Sequence, residues 1–169
     1  MGLNVYLISK EKHTNTSSGI FIRENGQTKE ITEEEWNLKY PNKAFYRIEQ
    51  KKETNIIYCN SITHNLTDMA EEAGIYEALW RSYRLKSNYN ISEDDYEKQH
   101  EFEDNNVVQA KELIDILNTG LNKLLEDPNK YKKFNPDNGW GSYEGLVEFL
   151  INYLEACHNY PESVVEVSR

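Results

Sequence analysis

The chain has 169 residues, 38% of them hydrophobic and 12% aromatic, which is enough for one domain with a sizeable core and too aromatic for wholesale disorder. Its net charge of -10, from 29 acidic against 19 basic residues, leaves no basic footprint for direct nucleic-acid binding and is repelled by an anionic lipid surface. No apolar run approaches the roughly 20 residues of a membrane span, and the start Met1-Gly2-Leu3-Asn4-Val5 lacks a signal peptide's basic and long apolar regions, so a cytoplasmic protein is expected.

Residues 3–8 read as a first strand, apolar on both faces, with Val5 and Leu7 on one and Tyr6 and Ile8 on the other; this suits a central place in a sheet. Residues 10–18 read as a polar loop. Asn25-Gly26, flanked by residues 20–23 and 29–31, predicts a tight hairpin. Thr32 and Glu35 form a capping-box pattern, and Ile31 and Trp36 stand at the positions of a hydrophobic staple. A short helix is therefore expected from Glu33, ending before Pro41. Residues 44–49 and 55–60 read as two further strands.

The second half is helical by periodicity. Leu66, Met69, Ala70, Ala73, Ile75, Ala78 and Leu79 mark one apolar stripe, interrupted at Gly74. Val107, Ala110, Ile114, Leu117, Leu121 and Leu124 mark a long helix stopped at Asp127-Pro128. Leu146, Phe149, Leu150, Tyr153, Leu154 and Cys157 mark the last helix, and residues 163–167 a closing strand. Residues 87–106, rich in Glu and Asp, read as an acidic solvated excursion, with Ser92 a candidate cap. Strands mostly first and helices later predict one α+β domain over 1–169, a small mostly antiparallel sheet packed on three main helices.

Two polar turns carry the candidate chemistry. One runs from Cys59 and Asn60 through Ser61, Thr63, His64 and Asn65 into the stripe at 66–80; the other runs from Asn135 through Gly139, Trp140, Gly141 and Ser142 into the helix at 143–157. Each sets amide, hydroxyl or aromatic groups beside helix N–H groups, a geometry that suits polar or anionic ligands. Asn60, Thr63, His64 and Asn65 supply donors and acceptors, Trp140 and Tyr143 supply stacking faces, and Arg81 supplies a cation. The bland alternatives are local: Thr63 or Asn65 as helix caps, Trp140 as a buried anchor, and Arg81 paired with a carboxylate.

Glu97-x-x-His100 and Glu155-x-x-His158 have a spacing used by di-iron bundles. With 22 Glu and 4 His in the chain, chance supplies about half a match (4 × 22/169), and the two lie in unlike contexts, so no metal is expected. There is no Gly-x-Ser-x-Gly elbow and no phosphate loop. Cys59 and Cys157 read as buried, reduced core thiols, with a disulfide between them and a Cys59–His64 dyad the minor alternatives.

The residues 61–66, 69–70, 74–76 and 79–81, with 135–136, 138–141, 143–144, Val147, Tyr153, Leu154 and Cys157, resemble a family of small proteins widespread in bacteriophages and prophages. The ending Val165-Glu166-Val167-Ser168-Arg169 is similar as well. The match covers less than half the chain and omits the hairpin and the acidic excursion. It implies a mobile-element origin but transfers no activity residue by residue. The expected function is that of a phage-type accessory binding protein without catalytic residues or cofactor, sequestering a nucleotide-like small ligand and so countering host defence. An acidic module for a basic host protein, and a small hydrolase or metal enzyme, are the alternatives.

Overall fold

The computed structural model describes residues 2–14, 18–48 and 53–169. In chain order the elements are β1 (Gly2–Thr14), β2 (Phe21–Glu24), β3 (Gln27–Glu30), α1 (Glu33–Lys39), β4 (Glu53–Thr63), α2 (Thr67–Ala73), α3 (Tyr76–Trp80), α4 (Tyr96–Asn105), α5 (Ile114–Glu126), α6 (Pro128–Lys132), α7 (Tyr143–Asn159) and β5 (Val164–Ser168).

Alternation along β1 sends Leu3, Val5 and Leu7 toward the helices, where all three are fully buried. β1 is the middle strand of an antiparallel sheet ordered β4-β1-β5. Its partners Ile62 in β4 and Val165 in β5 are buried on the same face. Asn4, Tyr6 and Ile8 point the other way and are half-buried, beside exposed Ser61 and Cys59 of β4. The main core lies between the sheet and α2, α3, α5 and α7, and includes Met69, Leu79, Trp80, Leu117, Phe149, Leu150 and Tyr153. The architecture is α+β, with the small antiparallel sheet built from N-terminal strands and the C-terminal one.

A second, smaller lobe occupies residues 18–48. Asn25 and Gly26 have φ of 52° and 80°, the two positive values a type I′ hairpin requires. The capping box forms as expected: the Glu35 N–H donates to Thr32 Oγ1 at 3.1 Å and the Thr32 N–H to Glu35 Oε2 at 2.8 Å. Ile20, Ile22 and Ile31 form a separate cluster, covered by Trp36, Tyr40 and Phe45.

Several boundaries differ from the sequence reading, each for a local reason. Residues 10–14, expected as loop, continue β1; beyond an irregular stretch His13 pairs with Thr54 and Thr14 with Glu53. Residues 15–17 of that expected loop lie outside the described residues, and Ser18 is outside any strand. Residues 44–48 are not a strand: Phe45 packs on Trp36, and Ile48 N–H makes one backbone bond to Gly19 O at 2.9 Å. Residue 49, the last of that expected strand, is outside the described residues. The expected long helix from Val107 starts at Ile114, because residues 108–110 bond along β5 instead, with Val165 N–H donating to Val108 O at 2.9 Å. That segment covers the outer edge of β5.

Residues 87–106 carry α4, capped by Asp95 rather than Ser92. Most of its side chains are exposed, yet Gln99 is 2% exposed and accepts from Arg84 Nη2 at 2.9 Å. Phe102 packs edge-on against Tyr89, and Glu103 pairs with Arg169.

Candidate functional site

β4 ends at Thr63, whose Oγ1 accepts from the Asn65 N–H at 3.3 Å and opens the single 3-10 turn His64–Leu66. Ahead of α7, the turn at 135–142 is tied down by its own amides: the Trp140 N–H donates to Asn138 Oδ1 at 2.9 Å and the Gly139 N–H to Pro136 O at 3.0 Å. The two turns touch. Asn65 Nδ2 donates to the Trp140 carbonyl at 3.2 Å across 75 residues. Gly141, at φ +110°, brings its backbone so close that a Cβ there would stand 2.6 Å from Thr63 Cγ2 and 3.0 Å from Leu66 Cγ. Only glycine fits both that conformation and that approach.

The hairpin of the small lobe roofs this junction. Gln27 Nε2 donates to Gly145 O of α7 at 3.2 Å, and the Arg23 guanidinium stands over the Trp140 ring, 5.5 Å from its centroid. Beneath lies a groove of about 540 Å³ lined by Arg23, Asn25 and Gln27 from the lobe, Ser61 and Thr63 from β4, and Trp140, Gly141 and Ser142 from the α7 turn. Trp140 is 60% exposed, so it is not the buried anchor that Trp usually is. Among the described residues, the lining contains no Asp or Glu, and Arg23 is its one cation and has no carboxylate within ion-pair distance.

On the other side of the hairpin lies a groove of about 670 Å³ of opposite character, lined by Glu24, Glu30, Glu148 and Glu155 with Lys29. Alternation along β2 separates the two: Arg23 lines one groove and its neighbour Glu24, paired with Lys39, lines the other.

Of the residues singled out in the sequence, Thr63 and Trp140 line the neutral groove and Asn65 ties its two turns together. The others do not face it. His64 turns to the core, where Nδ1 accepts from Trp80 Nε1 at 2.9 Å. Tyr143 is buried and its hydroxyl donates to Leu124 O at 2.9 Å, so it offers no stacking face. Asn60 lines the acidic groove and donates to the Tyr58 hydroxyl at 3.1 Å. Arg81 donates to the Tyr83 hydroxyl at 3.3 Å.

Nor are the Tyr143 and Gly145 N–H groups of α7 free for a phosphate. Asn135 Oδ1 takes the Tyr143 N–H at 2.7 Å, and Ser142 Oγ takes the Gly145 N–H at 3.1 Å. Capping satisfies them locally. Arg23 and Gln27, by contrast, carry no sequence signal for the site, since they reach it only through the packing of a lobe more than 100 residues away in the chain.

Cys59 is exposed, not core, because alternation puts it on the open face of β4. Burial still pushes its thiol above the usual value, the opposite of the shift that activates a nucleophile. Cys157 is buried and pushed up to about 12 by the same cause. The described residues hold no group of three or more His, Cys, Asp or Glu in reach of one metal ion. Among them, no helix is long and apolar enough to cross a membrane. Comparison with protein-family models, curated proteins and solved structures finds no match to this chain.

Proposed function

We propose that this is a phage-type binding protein that takes a nucleotide-like small molecule into the neutral groove and withholds it from a host-defence pathway in the host cytoplasm. The observation that carries the reading is the charge of that groove. In a chain with 29 acidic residues, its lining has, among the described residues, no carboxylate and one arginine, which has no carboxylate partner and stands over a largely exposed tryptophan. A flat ring stacks on Trp140, a nearby anion meets Arg23, and Asn25, Gln27, Ser61 and Thr63 offer hydrogen bonds to ring edges. The volume lies within the range of small-molecule sites, roughly 300–1,000 Å³.

The test is a thermal-shift screen with nucleotides and cyclic nucleotides, followed by calorimetry. A ligand of the wild type should lose roughly 5- to 150-fold in affinity in Trp140→Ala, the usual worth of one stacked base. Affinity unchanged in a folded Trp140→Ala protein would remove the groove from consideration.

A second reading is favoured by the acidic groove: a basic protein partner held by Glu148 and Glu155 of α7 with Glu24 and Glu30 of the lobe. Salt-sensitive binding of oligolysine, abolished in Glu148→Lys/Glu155→Lys, is its expected signature.

A further inference from the structure

We infer that the neutral groove selects a ligand with one phosphate-like group and no bound divalent cation, a nucleoside monophosphate or 3′,5′-cyclic nucleotide, over a magnesium-complexed triphosphate. This rests on the nucleotide reading above and adds the class of nucleotide. Magnesium in a nucleotide site is held by one or two protein carboxylates together with the phosphates. Among the described residues the lining offers none: Glu24, the nearest in sequence to Arg23, lines the other groove and is paired with Lys39. A second and third phosphate also need cations or free N–H groups, and among the described residues the groove has one cation, Arg23. The helix N–H groups beside Ser142 are already taken by Asn135 and by Ser142 itself. The surrounding charge of -10 opposes each added negative charge on the ligand in proportion.

The test is calorimetry on the full chain with adenosine, the four ribonucleoside monophosphates, 3′,5′-cyclic AMP, and ATP with magnesium or with EDTA. A monophosphate or the cyclic nucleotide is expected to bind at least roughly tenfold tighter than either form of ATP, with no change on adding EDTA. Arg23→Gln should reduce the monophosphate's affinity to that of the bare nucleoside, whereas Trp140→Ala should weaken both. Magnesium-ATP binding as tightly as the monophosphate, and released by EDTA, overturns this inference and leaves the nucleotide reading standing. Binding to none of these compounds overturns the nucleotide reading itself, and this inference with it.

Discussion

His64 and Trp140 show how neighbouring polar residues divide between structure and surface. The His64 ring accepts from the indole N–H of Trp80, a residue 2% exposed, so its loss leaves a buried donor without a partner. His64→Ala should therefore cost about 1–3 kcal/mol of stability in urea denaturation while changing ligand affinity less than twofold. A large affinity loss with normal stability would return His64 to the site. One buried acid and one half-buried acid add a pH dependence. Burial pushes the Cys157 thiol up to about 12 from an ordinary value of 9.0, and the Tyr58 phenol to about 12 from 10.0. Between those limits the unfolded chain releases protons that the folded chain keeps, so stability is full below about pH 9 and falls as pH rises toward 12. Denaturation midpoints should be level from pH 7 to 9 and then decline, less steeply in Cys157→Ala; a level profile to pH 11 would contradict the burial of these groups.

At the scale of elements, helix packing is set by positions where no side chain fits. Gly120 lies inside α5, where alanine would ordinarily favour the helix by about 1 kcal/mol. A Cβ there would stand 2.1 Å from Ile75 Cγ2 and 3.2 Å from the Ala73 carbonyl, and backbone cannot yield as a flexible side chain does. Overpacking wins over propensity, and Gly120→Ala is expected to destabilise by about 1–3 kcal/mol; a stabilised variant would mean that α2 and α5 sit further apart. The apolar stripe around Leu117 and Leu124 announces α5 in the sequence, and the capping box and Asn25-Gly26 announce α1 and the hairpin, because each signal is local. The start of α5 was not legible: residues 108–110 have helical spacing but bond to β5, a partner about 55 residues away. That Trp140 and Thr63 line a groove was legible from the polar segments that carry them. Arg23 was not, since nothing within a short window says which lobe will roof a groove.

The molecule as a whole joins a large acidic body to a small lobe, and segments that read as surface hold the pieces together. Residues 87–106 illustrate this. Their charge density reads as solvated, yet Gln99 is buried against Arg84, whose side chain is only 10% exposed, and accepts from the Tyr83 hydroxyl at 3.3 Å. Glu103 receives Arg169 from the chain's other end, and Arg169 also donates to the Trp80 carbonyl at 2.8 Å. The segment thus bridges α3, which carries Trp80, to the end of β5. Replacing residues 87–106 by a short linker uncovers Tyr83, strips Gln99 and Glu93 from Arg84 and leaves Arg169 with one partner fewer. A hydrogen bond from a charged group such as that of Arg84 to Gln99 is worth about 1.5–3 kcal/mol, a sizeable part of a domain's stability of roughly 5–15 kcal/mol. The deletion is therefore expected to lower the urea midpoint sharply, and Gln99→Ala to reproduce part of the loss. Because the neutral groove shares no residue with this segment, nucleotide affinity of the folded fraction should be unchanged. A deleted protein as stable as the parent would show that the charge pattern was the better guide, and that Gln99 and Glu103 rest on the body without holding it.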